Sequence, residues 1–314
     1  MPALSLHRDA PERLSARPIP IAGKGKAPPQ ESAAILPAAN LRLARFEAAL
    51  ALNPAADARA PLFAGVDLGT AYIVTAVVDA EGTPLAGALT RSRASIRDGL
   101  VLDYIGAISL LRAQVEAIRR AGYPIREAMA AYPPGTGGRN ARAVGNVLEA
   151  ADLEVAGLLD EPSAAAEVLG ISDGVVVDIG GGTTGISVLS GGEVVYTADE
   201  ATGGTHLDLV LAGNFKIPVD EAERIKTDPA RQYDLFPLVR PVFQKMAAIV
   251  RSHISGLPVK TLYLVGGTSC FPGIAHVMEQ ETGLPVLQPN HPLLVTPLGI
   301  ALRCARGPRT AEWR

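Results

Sequence analysis

At 314 residues the chain exceeds one ordinary core, since domains commonly run about 100 to 200 residues, and two lobes are the default expectation. Apolar residues make up 48% and the formal net charge is -3, a mildly acidic globular balance that lacks the basic footprint a phosphate backbone demands, so no nucleic-acid partner is expected. Cys270 and Cys304 are the only cysteines, which leaves neither a zinc ribbon nor a disulfide framework, and no stretch reaches the roughly 18 apolar residues of a membrane span or the apolar run of a secretory signal. The expectation is a cytoplasmic protein with no membrane partner.

Prolines are dense up to Pro61, and Gly23-Lys24-Gly25-Lys26 and Pro28-Pro29 interrupt any apolar periodicity, so 1–38 reads as a disordered N-terminal extension. A helix and linker follow over 39–60, with Asn40 as N-cap and Leu43, Phe46 and Leu50 on one face. That stripe covers either this chain's own body or a partner. From 61 the pattern turns to β-runs alternating with helices, an α/β arrangement. The first lobe, 61–170, carries strands at 62–66, 72–78 and 85–89 and a long amphipathic helix marked by Val101, Ile105, Ile108, Leu111, Val115 and Ile118. Strands at 128–131 and 153–158, a helix at 141–150 and another after Pro162 complete it.

A second pass covers 171–304: strands at 175–179, 186–189 and 194–197 with a Ser190-Gly191-Gly192 turn, helices around Leu207, Glu221 and Met246, a strand at 261–265 and a helix after Pro272. Residues 305–314 form a tail. Asp67-Leu68-Gly69-Thr70 and Asp178-Ile179-Gly180-Gly181-Gly182-Thr183 occupy the same turn, between first and second strands, in each half. The repeat is too long for a solenoid unit and indicates a duplicated domain.

A strand ending in Asp, then a glycine-rich turn, then a second strand puts a carboxylate and bare backbone N–H groups at one bend. Glycines allow close approach, the N–H groups bond phosphate oxygens, and Asp67 and Asp178 organise Mg2+ through water. One such bend could be a plain Asp-Gly hairpin; two in register argue for a polyphosphate site. Gly180 to Gly185 also fits GxGxxG, with Asp199 and Glu200 about twenty residues on, but 184–189 is β-branched where that fingerprint needs a helix. No GxxxxGK[ST] occurs. A third element, Leu264-Val265-Gly266-Gly267-Thr268-Ser269, runs from a strand into a double glycine that admits a flat base or sugar.

Together these three turns resemble the phosphate-1, phosphate-2 and adenosine motifs of the actin, heat-shock-chaperone and sugar-kinase superfamily, over Phe63 to about Cys304. Within it, Gly65-Val66-Asp67-Leu68-Gly69-Thr70-Ala71, Arg97-Asp98-Gly99 and Asp160-Glu161-Pro162-Ser163-Ala164-Ala165-Ala166 resemble the ethanolamine-utilisation EutJ family. The resemblance implies a duplicated actin-like, ribonuclease-H-like ATPase fold with two lobes around ATP or ADP and Mg2+. It implies a water-positioning Glu161 acting with Asp67 and Asp178, and phosphate contacts from Gly69, Thr70, Ala71, Gly180, Gly181, Gly182 and Thr183. Glu223 and Lys226, three apart on one helix face, match ribose and adenine contacts, alongside Gly266, Gly267 and Thr268, while Gly203, Gly204 and Asp208 match the second connecting motif.

The departures are equally specific. Thr227 and Cys270 stand where the chaperones stack arginines on adenine, and no lysine lies between Thr70 and Glu161 to face the γ-phosphate, which leaves Arg91, Arg93 and Arg97 as candidates. The function implied is a nucleotide-switched, chaperone-like or reactivating protein with weak ATPase activity. Its partner would be the ammonia-lyase of ethanolamine breakdown or components of a bacterial microcompartment. An actin-like filament, from Arg97-Asp98-Gly99-Leu100-Val101, and a small-molecule kinase, with Asp103 as substrate base, remain alternatives.

Overall fold

In a computed structural model, residues 30–55, 61–92, 96–97, 100–101, 104–133 and 139–307 are described. Arg93, Asp98, Gly99 and Asp103, the tail from 308 and the extension up to 29 lie outside them. The first half runs α1 (Gln30–Ala49), β1 (Phe63–Leu68), β2 (Tyr72–Val78), β3 (Pro84–Arg91), β4 (Ile96–Arg97), β5 (Leu100–Val101), α2 (Tyr104–Arg120), β6 (Glu127–Tyr132), α3 (Arg139–Ala150), β7 (Glu154–Asp160) and α4 (Glu161–Leu169). The second runs β8 (Gly174–Ile179), β9 (Thr184–Ser190), β10 (Glu193–Glu200), α5 (Gly204–Phe215), α6 (Val219–Thr227), α7 (Pro229–Ile254), β11 (Leu262–Val265), a 3-10 turn at Gly267–Cys270, α8 (Ile274–Thr282), β12 (Val286–Leu287), a second 3-10 turn at Pro292–Leu294 and α9 (Val295–Arg306).

The duplication holds strand for strand. One sheet has the order β3-β2-β1-β6-β7 and the other β10-β9-β8-β11-β12. In each, the first three strands form an antiparallel meander and the last two join parallel to the opening strand. The two-residue period sends alternate side chains to opposite faces. On β8, Val175, Val177 and Ile179 face the helices α5 and α7, while Val176 faces a middle layer. On β2, Ile73 and Val77 face α2, while Val74, Ala76 and Val78 face that same middle layer.

The middle layer is built from α1, α4 and α9, and it shifts two expected boundaries. The helix expected from Asn40 begins at Gln30, with Pro37 inside it, and Asn40 instead accepts a hydrogen bond from Asn290 N at 2.9 Å. Its stripe covers this chain's own body: Leu43 and Phe46 are buried, and Phe46 lies over Gly87 of β3, where an added Cβ would come within 2.6 Å of the ring. Burying such a ring contributes about 1.5 to 3 kcal/mol.

The second lobe was expected to run to 304, yet α9 packs on β1, β2, β6 and α4 of the first. Gly65 on β1 lets the α9 backbone at Ala301 lie against the strand, and Gly299 on α9 lets it cross the carbonyl of Ala164 on α4; a Cβ at either glycine would overlap main chain. Glu167 on α4 then receives Arg303 at 2.8 Å and Arg306. Among the described residues no helix is long and apolar enough to cross a membrane.

Candidate functional site

Asp67 lies opposite Val74, one pair before the end of β1, and the bend beyond it is held to glycine because a Cβ on Gly69 would sit 2.8 Å from the Tyr72 carbonyl. Asp178 occupies the equivalent place on β8, where Gly180 N donates to Thr183 O at 3.0 Å to close the turn into β9. The strand Thr184–Ser190 is the β-structure that excludes a dinucleotide fingerprint. The two turns meet tip to tip: a Cβ on Gly181 would fall 3.0 Å from Ala71 Cβ, and one on Gly182 would fall 3.1 Å from Thr70 Oγ1.

The second turn is braced from behind. The Gly180 carbonyl accepts from Gly204 N at 3.0 Å and Thr268 Oγ1 at 2.7 Å, and the Gly181 carbonyl accepts from Thr205 N at 2.8 Å and its hydroxyl at 2.9 Å. A planar trans peptide points the next N–H opposite to its carbonyl, so the amides of Gly181 and Gly182 turn away from α5, to the side where these residues line a cleft. Gly203 and Gly204, expected among the contacts, are buried behind the turn and do not line that cleft: Gly204 N supplies part of the bracing, and a Cβ on Gly203 would come within 2.7 Å of the Gly182 main chain.

The cleft encloses about 250 Å³ and brings together most of the expected residues. Asp67, Gly69, Thr70 and Ala71 line one side, Asp178 and Gly180 to Thr183 another, and Glu161, Glu223, Lys226 and Gly266 to Thr268 complete it. Gly266 has φ of 91°, and its missing side chain leaves room for the Asp178 carboxylate. Glu161 projects from the first turn of α4. Its neighbour Asp160 caps that helix by accepting from Ser163 N at 2.9 Å and Ser163 Oγ at 2.8 Å, so Glu161 is left free of the capping task.

The carboxylates repel one another in a poorly hydrated place. Burial and the Asp178 charge push Asp67 from 3.8 up to about 7. Asp178 is pushed by burial up to about 6, with the Thr296 hydroxyl, donating at 3.0 Å, opposing the rise. Glu161 is driven well above the usual carboxylate range, by burial first and then by Asp178, Asp67, Asp199 and Asp160.

Asp199 stands beside the cleft, where its charge bears on Glu161 and Asp178, and local motifs do not reveal it. The register places Asp178 opposite Gly185 and Gly185 opposite Asp199, so both carboxylates stand on one face of the sheet with no side chain between them. Among the described residues no three acidic, histidine or cysteine side chains converge to ligate a metal directly. The carboxylates of Asp67, Asp178 and Glu161 around one cleft do fit a hydrated Mg2+, which keeps most of its waters.

At the other end of the cleft, Glu223 on α6 pairs with Arg91 on β3 at 2.7 Å, joining the two halves. Arg91 therefore sits by Tyr72, Glu223 and Asp208 and is spoken for there, rather than facing the carboxylates as a lysine substitute. The side chain of Arg97 and all of Arg93 lie outside the described residues. Lys226 donates to Asp208 at 2.8 Å and to the Gly204 carbonyl at 3.1 Å. Thr227 and Cys270 both line this end, where burial pushes the Cys270 thiol up to about 11. Leu207, Phe271 and Gln232 join them, none of which the sequence motifs singled out.

The comparisons with known proteins agree with this geometry. The family profile of cell division protein FtsA matches residues 175–302. The chain is 45% identical over 245 residues to the ethanolamine utilization protein EutJ of Salmonella typhimurium, covering 77% of this chain and 85% of that protein. The crystal structure of EutJ from Carboxydothermus hydrogenoformans superposes with a TM-score of 0.77 at 48% identity, covering 87% of this chain and 99% of that one. MreB5 of Spiroplasma citri bound to AMPPNP superposes with a TM-score of 0.61 at 17% identity, over 76% of this chain and 94% of that one, which establishes the actin-like fold. This chain belongs to the family of the ethanolamine utilization protein EutJ.

Proposed function

We propose that the cleft binds ATP or ADP with Mg2+, and that this chain is a nucleotide-switched, chaperone-like or reactivating protein of ethanolamine utilisation with slow ATP hydrolysis. The observation that carries the reading is the meeting of two acidic glycine turns, one from each half, around a single cleft that also holds Glu161. The AMPPNP held by MreB5 supports the nucleotide class. At about 250 Å³ the cleft lies just below the roughly 300 Å³ at which ligand pockets begin, so nucleotide entry requires the halves to part slightly.

Within this reading Asp67 and Asp178 hold hydrated Mg2+, which supplies positive charge to the phosphate oxygens. The amides of Gly181 and Gly182 bond those oxygens. Glu161 accepts a hydrogen bond from the attacking water and so orients it, a role that needs the carboxylate form. In the bare cleft its raised pKa favours the proton, and its loss is favoured once the neighbouring aspartate charge is offset. With Arg91 engaged by Glu223, stabilisation of the transferring phosphoryl is weak and turnover is slow. The partner is a protein of ethanolamine catabolism, the ammonia-lyase or a microcompartment component, met in the cytoplasm.

Calorimetric titration with Mg-ATP followed by product analysis tests the proposal; heat of binding with slow ADP release is expected, and the absence of binding overturns it. Glu161→Ala should retain ATP binding while turnover falls by about 10²-fold or more, and unchanged turnover removes Glu161 from the chemistry. Sedimentation with ATP separates this reading from a filament.

A further inference from the structure

We infer that Gln232 reads the nucleobase, accepting a hydrogen bond from the exocyclic amino group of adenine and thereby selecting adenine over 6-oxo purine nucleotides. The inference rests on the proposal that the cleft binds a nucleotide. Gln232 lies in the first turn of α7, which Asp228 caps by accepting from Ala230 N at 3.0 Å. The residue is 7% exposed and lines the cleft. Its Nε2 donates to the Lys226 carbonyl at 3.0 Å, and a carbonyl can only accept, so the orientation of the amide is fixed. That leaves Oε1 without a hydrogen-bond partner among the described residues, and the atom is itself buried, so a base reaches it only as the cleft opens to admit the nucleotide.

A buried acceptor left unpaired destabilises the fold, so a donor is called for. The polar neighbours do not provide one. The Lys226 ammonium is committed to Asp208 and the Gly204 carbonyl. The Thr227 hydroxyl is committed to the carbonyls of Glu223 and Arg224. Leu207, Phe271 and the protonated Cys270 give this end of the cleft apolar walls suited to a flat ring. An adenine attached to ribose has no N–H group other than its 6-amino, whereas guanine and hypoxanthine present a carbonyl oxygen at that position. Two acceptors facing each other repel, and the base is rejected.

The test uses the full chain and alters the ligand before the protein. Calorimetry with Mg2+ compares ADP, inosine 5′-diphosphate and purine-riboside 5′-diphosphate, the last lacking only the amino group. ADP is expected to bind at least about tenfold more tightly than either analogue. In Gln232→Met, checked for folding by circular dichroism and thermal melting, the preference should shrink to within about twofold as ADP weakens. Equal binding of ADP and the deamino analogue by the unaltered chain overturns the inference. So does a preference that survives intact in Gln232→Met, since another group then reads the amino. Failure of the unaltered chain to bind any of the three overturns the nucleotide reading itself, and the base reading with it.

Discussion

Asp67 and Asp178 stand one residue from the ends of equivalent strands of equivalent sheets, yet their surroundings differ. Asp178 accepts from Thr296, fits into the space left by Gly266, and sits on a turn whose carbonyls are fastened to α5 and Thr268. Asp67 is raised by burial and by the Asp178 charge, neither offset by a hydrogen bond among the described residues, and it stands higher, at about 7 against about 6. Duplication thus supplied two similar bends, and later packing made one a braced anchor and the other a more loosely supported counterpart. The difference predicts that removing the supports of Asp178 is structural as well as functional, whereas removing the Asp67 carboxylate is mainly functional.

The largest effect should come from Gly266→Ala, where a Cβ would meet the Asp178 carboxylate at a φ of 91°. We expect a loss of about 3 kcal/mol in urea denaturation, against under about 1 kcal/mol for Gly180→Ala, where the nearest atom is 3.7 Å away. Similar losses for both would deny that the space left by Gly266 supports Asp178. Next, Asp67→Ala and Asp178→Ala should each abolish the thermal shift given by saturating Mg-ADP, a stabilisation of about 2.7 kcal/mol at a hundredfold excess over Kd. Asp67→Ala should melt no lower than wild type without ligand, because it removes a repelled charge. An undiminished shift in both removes the metal assignment.

A smaller effect is written in pH. The folded-state pKa of Asp67, about 7, exceeds its ordinary 3.8, so the folded protein holds an extra proton between these values. The associated stability is fully present below about pH 4 and is lost as pH rises through about 7. In EDTA, wild-type Tm should therefore fall more steeply from pH 5 to 8 than that of Asp67→Asn; parallel curves would show that Asp67 titrates normally. Thr296→Val should cost about 1 kcal/mol at neutral pH and move the Asp178 titration upward, towards that of Asp67. Carboxylate chemical shifts followed by NMR through the titration check this, and an unmoved Asp178 denies Thr296 its part.

What could be read from the sequence was local. The strand runs and both Asp-Gly bends announce themselves within a few residues, as does the Asp160 to Ala166 run, and Asp67, Asp178 and Glu161 share one cleft as those motifs required. Less legible was α9, which the apolar periodicity did not single out and whose Pro297 and Gly299 disfavour an isolated helix. It is helical in a place where Gly65 and Ala164 accept its backbone at close range. The early start of α1 hid behind Pro37 for the same reason. Asp199 drew notice only as the acidic residue of a dinucleotide pattern, and the register of the third strand is what puts it opposite Gly185. Arg91 likewise gains its meaning from a partner distant in sequence, and Gln232 from the cleft it lines.

The Arg91–Glu223 pair ties β3 to α6 across the mouth of the cleft, with both side chains about one third exposed. Ionic strength therefore acts on it directly, since screening over a Debye length of about 8 Å at physiological salt weakens such a tie, whose worth is about 0.2 to 1 kcal/mol. The buried carboxylates inside the cleft are far less open to that screening, so added salt loosens the join between the two halves first.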